Sequence, residues 1–276
     1  MRTIKLIIAA TIVAMIAACG GTKQETPKTL VLYYSLTGNT KAVADEIANR
    51  LGADIEAIEA VNPYDTSFMA TIERCKADRE AGVFTEIKPV KADLSQYDVI
   101  FIGYPVWFGT YAPPIESLLS QVDLNGKKIV PFCTFGSGGL ESSVKDMEEC
   151  QPNAEILPGY GVRAARLEAM PKEVEQFLIA GGFIKGTSTP IPDFPEQKPV
   201  NEEESAIFDA AVDGYPMLHA KATSFASRPI SEGTEYLFVA KDLPREDNPN
   251  MPPAGEMKVY VTVANGATPV FTRVVR

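Results

Sequence analysis

Apolar residues along the chain fall into two alternating rhythms, short unbroken runs and runs with helical spacing. Residues 29–34 are β-branched, aliphatic and aromatic, as a buried strand requires, and Ala42, Val43, Ile47 and Leu51 then recur at helical intervals. Residues 53–60 make a weaker second strand, because Ile55 and Ile58 do not alternate cleanly. The spacing next predicts a helix over 67–80, with Phe68, Ile72 and Cys75 on one face, and an irregular stretch over 83–96. Residues 98–103 are continuously apolar, the mark of a strand covered on both faces. A helix over 115–121 is started by Pro113 and Pro114, where a missing N–H costs nothing. After the Asn125-Gly126 turn come a buried strand over 128–134, a helix over 140–149, a strand over 154–162 and a helix over 171–180 closed by Gly181-Gly182. Strand and helix thus alternate five times, which predicts an α/β fold with a doubly wound parallel sheet of about five strands.

The pattern changes after residue 185. Residues 186–201 are Pro-rich and read as a linker, and 202–212 form a short amphipathic helix with Ile207, Ala210 and Ala211 inward. Four strand-like runs follow, over 218–225, 234–240, 257–264 and 269–275, with turns such as Asn265-Gly266 between them. They predict one helix against a four-stranded antiparallel sheet, a small α+β unit over 202–276. Its stretch from Pro229 to Tyr236 faintly resembles the cystatin-type hairpin. The Gln of that family's inhibitory loop is replaced, with Ser227 or Arg228 nearby, so the resemblance implies a docking or capping role and not protease inhibition.

At the other end, Arg2 and Lys5 precede an apolar segment that is too short for the ~20 residues a membrane span needs. Residues 1–18 therefore read as an export signal. Ile16-Ala17-Ala18-Cys19-Gly20 resembles the lipobox of bacterial lipoproteins, with Ile where Leu is commonest. The resemblance implies that Cys19 is lipidated and starts the mature chain, that residues 19–28 are a polar linker, and that the protein is a cell-envelope lipoprotein, periplasm-facing or on the outer membrane. A plain secretory signal cut after Ala18 is the alternative.

Composition narrows the chemistry. With 45% hydrophobic and 22% charged residues the chain is of the folded soluble class, and a formal charge of −10 argues against nucleic acid as a partner. One histidine, His219, and four scattered cysteines, Cys19, Cys75, Cys133 and Cys150, offer no metal-ligand spacing. Cys133 reads as a core thiol and Cys150 as half exposed.

Three loops at strand ends carry the unusual residues. Ser35-Leu36-Thr37-Gly38-Asn39-Thr40 joins the first strand to a helix, where unpaired N–H groups and the helix dipole favour a phosphate. Neither a Walker lysine nor a G-x-G-x-x-G is present. Pro105-Val106-Trp107-Phe108-Gly109 follows the third strand and holds the only Trp, a candidate stacking plate for a flat ring. Thr134-Phe135-Gly136-Ser137-Gly138 follows the fourth, with glycines that let backbone N–H groups approach a ligand edge.

Taken together, these loops over residues 29–185 resemble the flavodoxin-like family, in the branch whose loops read close to Y-P-x-W-[WF]-G-T-x-P-x-P and P-F-C-T. The resemblance implies a five-stranded sheet in 2-1-3-4-5 order with FMN held noncovalently at its edge. By position it implies Ser35, Thr37, Gly38, Asn39 and Thr40 on the phosphate. It places Pro105, Val106, Trp107, Phe108 and Gly109 on one face of the isoalloxazine, and Thr134, Phe135, Gly136, Ser137 and Gly138 on the other side. Many members stack a Tyr from the last loop on the outer ring face; here Phe135 stands in its place, which leaves that face open to a nicotinamide or a quinone. No residue reads as a general acid or base, since the flavin performs the chemistry. The implied function is electron transfer or FMN-dependent oxidoreduction at the envelope, with a redox protein, NAD(P)H or a quinone as partner. The alternative is a lipid-anchored binding or scaffold module on the same fold without redox activity.

Acylation is directly testable. Cys19→Ser should move the protein from the membrane pellet to the soluble fraction while the purified protein keeps its FMN binding. A variant that still sediments with membranes rules out Cys19 as the anchor.

Overall fold

A computed structural model describes residues 27–188, 191–213, 215, 218–231, 233–244 and 255–276. The export signal 1–18, Cys19 and the linker as far as residue 26 lie outside the described residues.

The continuous apolar runs over 29–34, 98–103 and 128–134 become strands with both faces covered. The first strand, β1 (Thr29–Tyr33), feeds α1 (Asn39–Leu51), which buries Val43, Ala44 and Ile47 against the sheet and stops at Gly52, whose φ is +60°. The second, β2 (Asp54–Ala57), is shorter than expected and mostly exposed, because it is an edge strand with β1 as its one neighbour. Beyond it Ala60 bridges Ile87, so the irregular stretch before residue 96 supplies a core residue. α2 (Phe68–Ala81) buries Thr71 and Cys75.

β3 (Val99–Trp107) runs well past the predicted end at Gly103. It turns back through Phe108 (φ +53°) and Gly109 (φ +85°) into the two-residue β4 (Thr110–Tyr111), pairing Trp107 with Thr110. Positive φ at both central residues is the geometry whose twist matches a hairpin's strands. The predicted loop is therefore a tight hairpin. α3 (Pro113–Gln121), β5 (Lys128–Phe135) and α4 (Leu140–Cys150) follow.

The last predicted strand is divided into β6 (Glu155–Ile156) and β7 (Tyr160–Arg163). Pro158, between them, has no N–H to give the ladder. α5 (Met170–Ala180) closes the unit. All main pairings are parallel in the order β2-β1-β3-β5, with β6 and β7 both on β5, which is the expected 2-1-3-4-5 with a broken fifth strand. Leu30, Leu32, Ile100, Ile102 and Tyr104 pack on one face, and Val31, Phe101, Val130 and Phe132 on the other.

The C-terminal unit consists of β8 (Lys198–Pro199), α6 (Glu202–Val212), β9 (Ala220–Ile230), β10 (Gly233–Asp242), β11 (Glu256–Ala264) and β12 (Val270–Val275). Its strands form one antiparallel sheet in the order β12-β11-β10-β9-β8, one short strand more than predicted. Asn201 caps α6 by accepting from the N–H groups of Glu203 and Glu204. Ile207 and Ala211 of α6 face inward as expected, but Ala210 is exposed and Phe208 is the buried anchor. A bulky ring placed 5.3 Å from that of Phe238 sets the rotation of the helix, which the two alanines could not.

At the centre of the first sheet, a Cβ added to Gly103 would stand 2.1 Å from Cζ of Phe132. Gly103→Ala should therefore destabilise the fold by about 1–3 kcal/mol through overpacking, read as a lower denaturation midpoint. An unchanged midpoint would show that Phe132 can move aside.

Candidate functional site

Because β1, β3 and β5 are parallel neighbours, their carboxyl ends deliver the three unusual loops to one edge. Around the first loop, Gly38 precedes α1 with φ +89°, and its N–H donates to Ser35 Oγ at 3.2 Å. A Cβ there would meet nothing within 4 Å, so the loop is open on that side. No side chain caps α1, no acidic residue stands in its first turn, and the Ala42 N–H to Gly38 O bond begins the helical ladder. The Gly38 N–H is taken by Ser35, and the N–H groups of residues 39–41 stand at the positive end of the dipole, where an anion is favoured. Thr37 is exposed and Asn39 half-buried beside them. Thr40 lies differently: its hydroxyl is buried and shares a 2.8 Å hydrogen bond with that of Thr134. The structure thus joins the first and third loops beneath the surface.

The hairpin after β3 carries Trp107, half-buried, against Tyr34 (ring centroids 5.8 Å, edge-on) and Tyr64 (5.1 Å). Tyr64 is held in turn by a 2.6 Å bond to Thr85 and by Arg74, whose guanidinium lies 3.9 Å from its ring centroid. Reading the sequence missed Tyr34 and Tyr64 as partners of Trp107. Their local signal is slight, a second tyrosine at the end of the first strand and one aromatic in a polar stretch. Phe108 at the hairpin tip is 54% exposed. Thr110 Oγ1, beside it, is buried without a hydrogen-bond partner among the described residues.

The third loop begins with Phe135, whose ring is buried in the core beside Gly161 and is not presented at the edge. Gly136, Ser137 and Gly138 follow at the surface. Val106 packs closely on Gly139, and Ser142 Oγ donates to Gly109 O, so hairpin and third loop are tied together.

Three phenols and one thiol near the loops are held protonated. Burial is the main cause raising the phenol pKa of Tyr34, Tyr64 and Tyr104, and the thiol of buried Cys133 is pushed up in the same way. These groups supply no base at neutral pH. Among the described residues no cluster of His, Cys, Asp or Glu could hold a metal. A hollow lined by Pro27, Tyr97, Asn125 and Lys127 lies at the opposite edge, by the strands' amino ends, and gathers none of the three loops.

The residues present fit a phosphorylated, flat ligand. An uncapped, open helix start stands at Gly38, and an aromatic hairpin with an unpartnered buried hydroxyl follows β3 at the same edge.

A family model described as flavodoxin matches residues 28–176. The NAD(P)H dehydrogenase (quinone) 3 of Rhizobium meliloti is 33% identical over 129 residues, which is 42% of this chain and 58% of that protein. The NAD(P)H dehydrogenase (quinone) of Cupriavidus metallidurans is 31% identical over 42% of this chain and 62% of its own length. The chain therefore spans less than two thirds of the curated relatives it matches. A crystal structure of a protein from Bacteroides eggerthii, described as a flavoprotein, is 26% identical with a TM-score of 0.50, covering 56% of this chain and 97% of its own. With the sheet order, the three converging loops and a match over more than half its length in agreement, this chain belongs to the flavodoxin family.

Proposed function

We propose that the chain binds FMN at the carboxyl edge of its parallel sheet and acts as a redox flavoprotein. The observation that carries this is the open start of α1 at Gly38, set beside the Trp107 hairpin and joined through Thr40 and Thr134 to the third loop. Membership of the flavodoxin family supports FMN as the cofactor. FMN, when bound, supplies one- and two-electron chemistry that no side chain here could.

The protein's own residues bind and orient. Backbone N–H groups of residues 39–41 and the hydroxyls of Ser35 and Thr37 would hold the phosphate, where the helix dipole helps them. Trp107 would wall one side of the ring, braced by Tyr34 and Tyr64 so that little freedom is lost on binding. Thr110 Oγ1 is available to a polar atom of the ligand. Thr40 and Thr134 act beneath, fixing one loop against another.

Relatives named as quinone dehydrogenases support NAD(P)H as donor and a quinone as acceptor, so that the protein works as an oxidoreductase and not only as a carrier. The lipobox-like Ile16–Gly20 supports a place at the cell envelope, tethered through Cys19. A linker of residues 20–28 would extend at most ~30 Å, which keeps the flavin edge within reach of membrane quinone or a membrane-bound redox partner.

Purified protein should show a flavin absorption spectrum, with one FMN and no FAD per chain. Thr37→Ala and Asn39→Ala should weaken FMN by about 1–3 kcal/mol and riboflavin far less, because riboflavin lacks the phosphate. A colourless protein that does not quench added FMN fluorescence would leave the scaffold reading in its place. Equal losses for both ligands would show that residues 35–40 do not hold the phosphate.

A further inference from the structure

The loop after β5 is held from outside by the C-terminal unit. Arg163, the last residue of β7, donates Nε to Gly136 O at 2.8 Å and Nη1 to Phe271 O at 2.6 Å. Its guanidinium lies 4.4 Å from the ring centroid of Phe271 and 5.2 Å from that of Tyr215. Beside it, the Val274 N–H donates to Ser137 O at 2.6 Å. A Cβ on Gly138 would stand 2.2 Å from Val274 O, so only glycine permits this approach. Arg273 adds an ion pair to Glu141 at 3.4 Å.

The two backbone hydrogen bonds, to Phe271 O and from the Val274 N–H, use the edge of β12 that its own sheet leaves unpaired. In a regular strand, residues three apart turn their backbone groups to opposite edges. The pairing of β12 with β11 slips at Thr272, between Phe271 and Arg273, and that bulge brings Phe271 O and Val274 N–H to the same edge. The strand is built to meet this loop.

The effect on the loop follows from peptide geometry. The described peptides are trans, so each C=O points opposite to the next residue's N–H. Gly136 O is held by the Arg163 guanidinium, so the Ser137 N–H is turned away from Arg163. Ser137 O is held on β12, which turns the Gly138 N–H away from the C-terminal unit. Neither N–H has a protein acceptor among the described residues.

We propose that the C-terminal unit is a working part of the FMN site: through β12 and Arg163, a positioning residue, it aims the Ser137 and Gly138 N–H groups at the polar edge of the ring. The proposal rests on FMN being the ligand. Donors fixed there favour any gain of negative charge on that edge, so they raise the midpoint potential as well as the affinity.

The test uses the full chain with Arg163→Met, which keeps the stem against Phe271 and removes every donor, and Arg163→Lys, which keeps the charge without the fork. In the wild type, FMN should shift and protect the amides of residues 37–39 and also those of Ser137 and Gly138, followed residue by residue by NMR. Arg163→Met should abolish the response at 137 and 138 alone, weaken FMN and riboflavin alike by about tenfold, ~1.4 kcal/mol, and lower the potential; Arg163→Lys should fall between. Wild-type affinity and potential in Arg163→Met overturn the proposal, as does a wild type in which FMN moves residues 37–39 but not 137 and 138. If FMN moves neither loop, the FMN reading itself has failed and the proposal goes with it. Should the Met variant not fold, the Lys variant and the wild-type amide response decide in the same terms.

Discussion

Burial of one parallel sheet on both faces is the constraint from which the first unit follows. The core residues of β1, β3 and β5 have no solvent side: Ile100 and Ile102 are covered on one face and Phe101 and Phe132 on the other. These strands run the same way, with a helix returning between them, so their carboxyl ends share an edge. There the backbone groups run out of ladder partners and must find others. Glycine, serine, threonine and asparagine gather at those ends, and the buried bond between Thr40 and Thr134 is one outcome. A hydroxyl left unpaired in that interior would be costly, so each threonine fixes the other and the start of α1 is locked to β5.

Net charge does not oppose this site. The chain carries −10 formally, yet the first turn of α1 has no acidic residue, and the nearest charge in sequence, Lys41, pairs with Asp45 further along the helix. Screening limits exposed charges to about 10 Å at ordinary ionic strength, while the free N–H groups act at contact distance. Local dipoles therefore decide what binds at Gly38. The acidity of the rest bears on solubility and partners.

What could be read from the sequence was what depends on neighbours along the chain. Continuous apolar runs identified the parallel strands, and hydroxyls with a glycine marked the turn from β1 into α1. What escaped depends on distant residues. The apolar run ends at Gly103, but β3 continues through Pro105 and folds back at Phe108 and Gly109, because the pairing of Trp107 with Thr110 is not visible in a window of apolar spacing. The fifth strand is broken where Pro158 removes a donor, although the apolar pattern runs on. In α6 the expected face held Ile207, Ala210 and Ala211; Phe208 displaced Ala210 from it, since the larger side chain has more surface to bury. Tyr34 and Tyr64 reach Trp107, and Thr40 reaches Thr134, across separations no local pattern spans.

The docking of the C-terminal unit belongs to this last class, and it answers two problems together. β12 is an edge strand, whose unpaired groups invite pairing with other chains unless they are covered. The loop after β5 is rich in glycine, and left alone it would lose much conformational freedom on meeting a ligand. Setting the strand edge on the loop satisfies Phe271 O through Arg163 and Ser137 O through Val274, while the ordering cost of Gly136 to Gly138 is met during folding. The ligand side of the loop is then arranged in advance, which is the condition under which weak backbone donors bind tightly. A unit placed only to lengthen the chain would not need a bulge at Thr272 or a glycine at 138 to reach this loop; both features make sense when the loop is the surface that the second sheet is built to hold.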